Sequence, residues 1–184
     1  MKLSIKEMIL VSLFTALTAI GAFLSIPIGD VPITLQSMFA LLAGLLLGPK
    51  LGSLSQLIYI LLGLSGVRIF AGFSGGPQAM LKPSFGFLIG FIFAAFVVGK
   101  ITHEEEFVSL KRIFFATLAG TFIIYLFGIP YMYLIFNNVM NKALSFSMAI
   151  KTGCLVFLPG DIVKAIVSSL VAFRVLRRIK IARV

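Results

Sequence analysis

The chain has 184 residues, of which 60% are apolar and only 12% are charged, about half the charged share usual in soluble domains. With a mean hydropathy of +1.13, this composition excludes a surface wetted on all sides and a disordered chain, and points to an integral membrane protein. A single cysteine (Cys154) and a single histidine (His103) exclude a disulfide framework and any multi-cysteine or histidine-cluster metal site.

A hydrocarbon core about 30 Å thick asks for about 20 apolar residues per spanning helix, fewer where tilt or neighbours compensate. Six spans are predicted, at about 8–26, 35–47, 51–64, 85–98, 113–136 and 159–175, in one transmembrane domain covering residues 1–184. The first follows Lys2 and Lys6, which resemble the basic start of a signal peptide. It continues without a small-x-small cleavage site and is read as retained. Spans two and three meet at Gly48-Pro49 and are short, so a re-entrant pair is the alternative for them. Gly128 and Pro130 predict a kink in the fifth.

The net charge of +10 would suggest a nucleic-acid partner in a soluble protein. Here the cations sit between spans and after the last one, as topological signals do, and no nucleic acid is expected. Lys2, Lys6, Lys50, Lys100, Lys111, Arg112 and the run from Arg174 to Arg183 fall on one side. Arg68, Lys82, Lys142 and Lys151 fall on the other. The imbalance places the protein in the cell membrane as a multi-pass chain with both termini cytoplasmic. Glu104-Glu105-Glu106 reads as a polar cytoplasmic turn, with His103 in the same solvated loop.

The costliest feature is Asp161 with Lys164 in the last span, because either charge in hydrocarbon costs about 3 kcal/mol or more. Their i, i+3 spacing puts both on one helix face, close enough to pair. Pro159 suits a first helical turn, which leaves Asp161 where the helix dipole favours its charge. A carboxylate acceptor beside an ammonium donor can grip a neutral ligand carrying both N–H and C=O groups, such as a cyclic urea or amide. The alternative is an ion pair that only holds the last helix.

Between spans three and four runs a glycine-rich outer loop containing Arg68, Phe70, Gly72, Gly75, Gly76 and Lys82. Its glycines permit close backbone approach to a ligand, and Arg68 and Lys82 could anchor a carboxylate. The alternative is a flexible loop with snorkelling cations. Gln36 at the head of the second span, with Gln56 and Tyr59 in the third, can line a pocket or make ordinary interhelical hydrogen bonds. The first span carries small-xxx-small pairs, including Thr15/Ala19 and Thr18/Ala22, which suit internal packing or docking to another subunit.

No G-x-x-x-x-G-K-[ST] occurs; residues 44–51 come near, but Pro49 breaks the pattern. No nucleophile–base set or metal-binding acid cluster is present, so neither an enzyme nor a resident cofactor is expected.

Asp30 to Gln36, Leu41 to Gly52, Phe70-Ala-Gly72 with Gly75-Gly76, and Leu158-Pro-Gly-Asp-Ile-Val-Lys164, in that order, resemble the BioY family, the biotin-capturing S components of energy-coupling factor (ECF) transporters. The resemblance covers nearly the whole chain. It implies an all-α, six-helix S-component fold and a high-affinity biotin-binding subunit. It also implies a transmembrane coupling subunit and two ATPase subunits that supply the missing motor. Asp161 and Lys164 match the family's P-G-D-x-x-K motif and are expected on the ureido ring. Gln36 and Gln56 would line the pocket. Phe70, Gly75 and Gly76 would cover it, and Arg68 or Lys82 would meet the valerate carboxylate. Thr15, Ala19 and Ala22 are the nearest match to the docking stripe of the first helix. An S component or facilitator for another small vitamin is the alternative.

Overall fold

The computed structural model describes residues 3–103 and 109–178; Lys2, Glu104–Glu106, Lys180 and Arg183 lie outside them. Helix α1 (Ile5–Phe23) opens on a capping box in which Ser4 N–H donates to Glu7 Oε2 at 2.6 Å. A short antiparallel ribbon follows, β1 (Ser25–Ile26) with β2 (Ile33–Thr34). Then come α2 (Gln36–Leu64), α3 (Phe85–His103) and α4 (Leu110–Asn138). The chain ends in a short α5 (Phe146–Ile150), one π-helical turn (Lys151–Leu155) and α6 (Leu158–Arg178).

α2 is a helical hairpin. Gly48 sits at φ +81°, which only glycine adopts without strain, and Pro49 cannot continue the first half's hydrogen bonding. In a straight helix residues 36 and 59 would be about 34 Å apart, yet Gln36 Nε2 donates to Tyr59 Oη at 2.6 Å. The halves touch closely: a Cβ on Gly52 would come within 2.8 Å of Gly44 Cα. Residues 36–47 and 49–64 are therefore two antiparallel helices that reverse at Gly48. With α1, α3, α4 and α6 they make six long helices among the described residues.

Close approach of backbones holds the bundle. A Cβ on Gly44 would lie 2.9 Å from Ala95 Cα, one on Gly99 2.8 Å from Pro49 Cα, and one on Gly90 2.9 Å from Ile124 Cα. Small residues serve this role because lipid tails are as apolar as leucine, so helices associate through packing rather than hydrophobic exclusion. The core lies where the α2 hairpin meets α3, around Leu41, Leu45, Tyr59, Phe91 and Val98. Gly128 and Pro130 both lie inside α4, where Gly128 receives the Phe87 ring. A bend of 41° separates the segment ending in the π-helical turn from α6.

His103 is not in a solvated loop. It ends α3 half-buried, and its Nε2 donates to Leu45 O at 3.0 Å. The helical partner of that carbonyl would be the N–H of residue 49, which proline lacks, so His103 satisfies an orphan acceptor at the hairpin tip. Replacing His103 by alanine should cost about 1–3 kcal/mol by leaving that carbonyl unpaired. His103→Gln, which can still donate, should retain most of the thermal stability in detergent; an unchanged melting temperature for His103→Ala would refute the role.

Candidate ligand-binding site

At the end of the bundle where α1 finishes and α6 begins, a cavity opens between the first half of α2, α3, α4, α6 and the 65–84 loop. It offers about 150 Å³ to the centres of water molecules, roughly ten times what a single water requires. Phe70, Phe85, Phe87, Leu88, Phe91 and Phe157 supply its apolar wall.

The polar wall converges on α6. Lys164 Nζ donates to Asp161 Oδ1 at 2.8 Å and to Ser37 Oγ at 3.2 Å. Tyr125 Oη, from α4, donates to Asp161 Oδ2. Both charged side chains are nearly sequestered, at 10% and 11% exposure. One Lys164 proton and two carboxylate lone pairs remain for something else, since an ammonium has three donors and a carboxylate about four acceptor positions. The site therefore presents one donor and two acceptors on a single helix face, walled by aromatic rings.

The 65–84 loop covers this wall because its glycines let it fold tightly. Phe70 pairs with Ser74 through a β-bridge, with Gly72 and Phe73 at positive φ between them. The Phe70 ring lies on Gly63, where a Cβ would collide with it, and Gly76 N–H donates to Gly63 O at 2.7 Å. Tyr59 Oη donates to Ile69 O at 2.9 Å, so Gln36 and Tyr59 tie the lid to α2. Across the mouth, Asp30 pairs with Lys142 at 3.3 Å.

A profile of the BioY family matches residues 1–181. The chain belongs to the BioY family. It is 43% identical over 169 residues to the "Probable biotin transporter BioY" of Pyrococcus horikoshii, covering 92% of this chain and 95% of that one. With the same-named protein of Lysinibacillus sphaericus it shares 39% over 180 residues, covering 98% and 91%. With the "Biotin transporter BioY" of Thermotoga maritima it shares 36% over 178 residues, covering 97% and 99%. Its fold matches the crystal structure of the S-component for biotin from an ECF-type ABC transporter, with a TM-score of 0.83 at 28% identity, covering 95% and 92%. The six-helix S-component fold expected from the BioY resemblance is the one observed.

Within this BioY-family fold, the residues singled out from the sequence divide. Asp161, Lys164, Gln36, Phe70 and Lys82 line the cavity. Gln56 does not: fully buried, it donates to Thr18 Oγ1 at 3.2 Å and to Ser55 Oγ at 3.1 Å, joining α1 to α2. Arg68 is exposed and outside the lining, and Gly75 and Gly76 shape the base of the lid. On α1, Thr15 is buried and donates to Ser55 O at 2.9 Å, and Ala22 is fully buried. Ala19 is half-buried, whereas Ser12 and Ala16 face outward. Tyr125 and Ser37 complete the polar wall without having been singled out.

Proposed function

We propose that this chain is the biotin-binding membrane subunit of a vitamin uptake transporter. The observation that carries the reading is the Asp161–Lys164 pair in the aromatic cavity, with one ammonium donor and carboxylate lone pairs still uncommitted. A ureido ring supplies the complement. Its C=O accepts from Lys164 Nζ, its N–H groups donate to Asp161, and the fused rings and alkyl chain lie against Phe85, Phe91 and Phe157. The names of the relatives and of the structural neighbour support the ligand.

The S-component reading brings with it a transmembrane coupling subunit and two ATPase subunits, the partners that would energise uptake. The whole subunit reorients against them. The charge distribution supports cytoplasmic termini, which set the cavity on the outer side.

Of the two loop cations, Lys82 lines the cavity and Arg68 does not, which makes Lys82 the partner for the valerate carboxylate. Being exposed, it contributes modestly, at about 0.2–1 kcal/mol. Biotin titrated by calorimetry into the detergent-purified chain should bind saturably. Lys82→Gln should weaken biotin up to about fivefold and leave biotin methyl ester unaffected, and Arg68→Gln should change neither. Absence of biotin binding by folded protein, with saturable binding of another vitamin, would overturn the reading.

A further inference from the structure

A second concavity lies at the opposite end of the bundle, on the outer face between the start of α4 and the middle of α6. It is a groove of about 490 Å³ walled by Leu110, Phe114, Phe115, Ile166 and Leu170, with Ser169 on its floor and Lys111 at its rim. Four of these walls are exposed, Phe115 by 67%. The floor is closed: Ser169 Oγ and Thr117 Oγ1 share a hydrogen bond at 3.3 Å, and Ser169 Oγ also donates to Ala165 O at 2.7 Å.

We propose that this groove binds an anionic phospholipid, with an acyl chain between Phe115 and Leu170 and the phosphate on Lys111 and Arg174. Three observations select that occupant. The walls are large, flexible or aromatic side chains, whereas a partner helix packing closely in lipid needs small residues, and the small residue here is committed to the floor. The groove opens to the side, where hydrocarbon surrounds a chain of this hydropathy, so an acyl chain can enter without dehydration. Its rim is cationic: Lys111 is exposed, and Arg174 follows Leu170 by one helical turn on the same stripe and is also exposed. No acidic residue occurs in α4, or in α6 after Asp161. Arg112 is not counted, because its Nε donates to Ile101 O at 2.8 Å. Nor is Arg177, which stacks over Phe173 at 4.3 Å. A basic rim above an apolar cleft between helices is the arrangement that captures an anionic headgroup, at about 1 kcal/mol per cation near the surface.

The chain contains no tryptophan, so Phe115→Trp supplies a single fluorescent reporter at the groove. The full chain carrying it is reconstituted into phosphatidylcholine vesicles with increasing fractions of brominated phosphatidylglycerol or brominated phosphatidylcholine. With both cations engaged, half-maximal quenching should need about thirtyfold less brominated phosphatidylglycerol. Combined Lys111→Gln and Arg174→Gln should erase the difference. A control reporter on α1, Leu13→Trp, should show none. Equal quenching by the two lipids, a preference that survives the double substitution, or the same preference at Leu13→Trp would each overturn the site. So would protection from both lipids, which would mean that protein, such as a second copy of the chain, covers the groove. If Phe115→Trp does not fold, Leu170→Trp on the opposite wall makes the same measurement.

Discussion

Lys164→Ala should weaken biotin binding by at least about tenfold, and saturable binding should disappear from an ordinary calorimetric window. The change removes the sole ammonium donor in the cavity lining other than the exposed Lys82. It also leaves Asp161 held by Tyr125 alone in a site that is nearly closed to water. A hydrogen bond to a charged group contributes about 1.5–3 kcal/mol, or roughly 10- to 150-fold in affinity. Removing one member of a buried pair also destabilises the fold by about 3–5 kcal/mol, so binding must be read on protein shown to be monodisperse. Asp161→Leu combined with Lys164→Met separates recognition from support, because well-packed apolar replacements of a buried pair are often neutral for stability. A folded double variant that still binds biotin would make the pair a strut. Tyr125→Phe should give a smaller loss, since Lys164 would still orient the carboxylate through Oδ1.

Gly44→Leu should prevent the bundle from assembling. Its first side-chain atom would sit 2.9 Å from Ala95 Cα, and what it meets is helix backbone rather than a side chain that can swing away. Overpacking of even a few atoms costs about 1–3 kcal/mol, and here the α2 hairpin would have to leave α3. Aggregation or loss of the monodisperse gel-filtration peak is the expected readout. Gly160→Ala is the matched control, because a Cβ there meets nothing within 4 Å. A Gly44→Leu protein that elutes and melts like the parent would show that the α2–α3 contact is not required.

Asp161 and Lys164 were legible in the sequence because both the cost of their charges and their pairing are set within one helical turn. Tyr125 and Ser37 were not. They reach the site from other helices, and nothing local separates Tyr125 from Tyr131 or Tyr133 on the same helix. Gln36 and Gln56 looked equivalent for a related reason. The fold of α2 places Gln36 at the cavity and Gln56 deeper, against Thr18 of α1. Arg68 and Lys82 share one loop, and only its path decides which of them faces inward. His103 was assigned to solvent by its acidic neighbours, although Pro49 had already orphaned the Leu45 carbonyl that it caps. Gly48-Pro49 gave the position of the reversal correctly because backbone chemistry at two adjacent residues suffices to end a helix.

That reversal also bears on biogenesis. The halves of α2 are about 18 and 24 Å long, each shorter than the roughly 30 Å of hydrocarbon it would have to cross. Residues 36–47 alone would therefore be a weaker membrane segment than the hairpin they form with 49–64, which favours entry of the two as a pair. Entry brings Gln36 to Tyr59 and gives the Ile69 carbonyl its anchor as soon as that residue follows. Such an order would lay down the lid's attachment point during synthesis, before the helix that forms the cavity's far wall has been made.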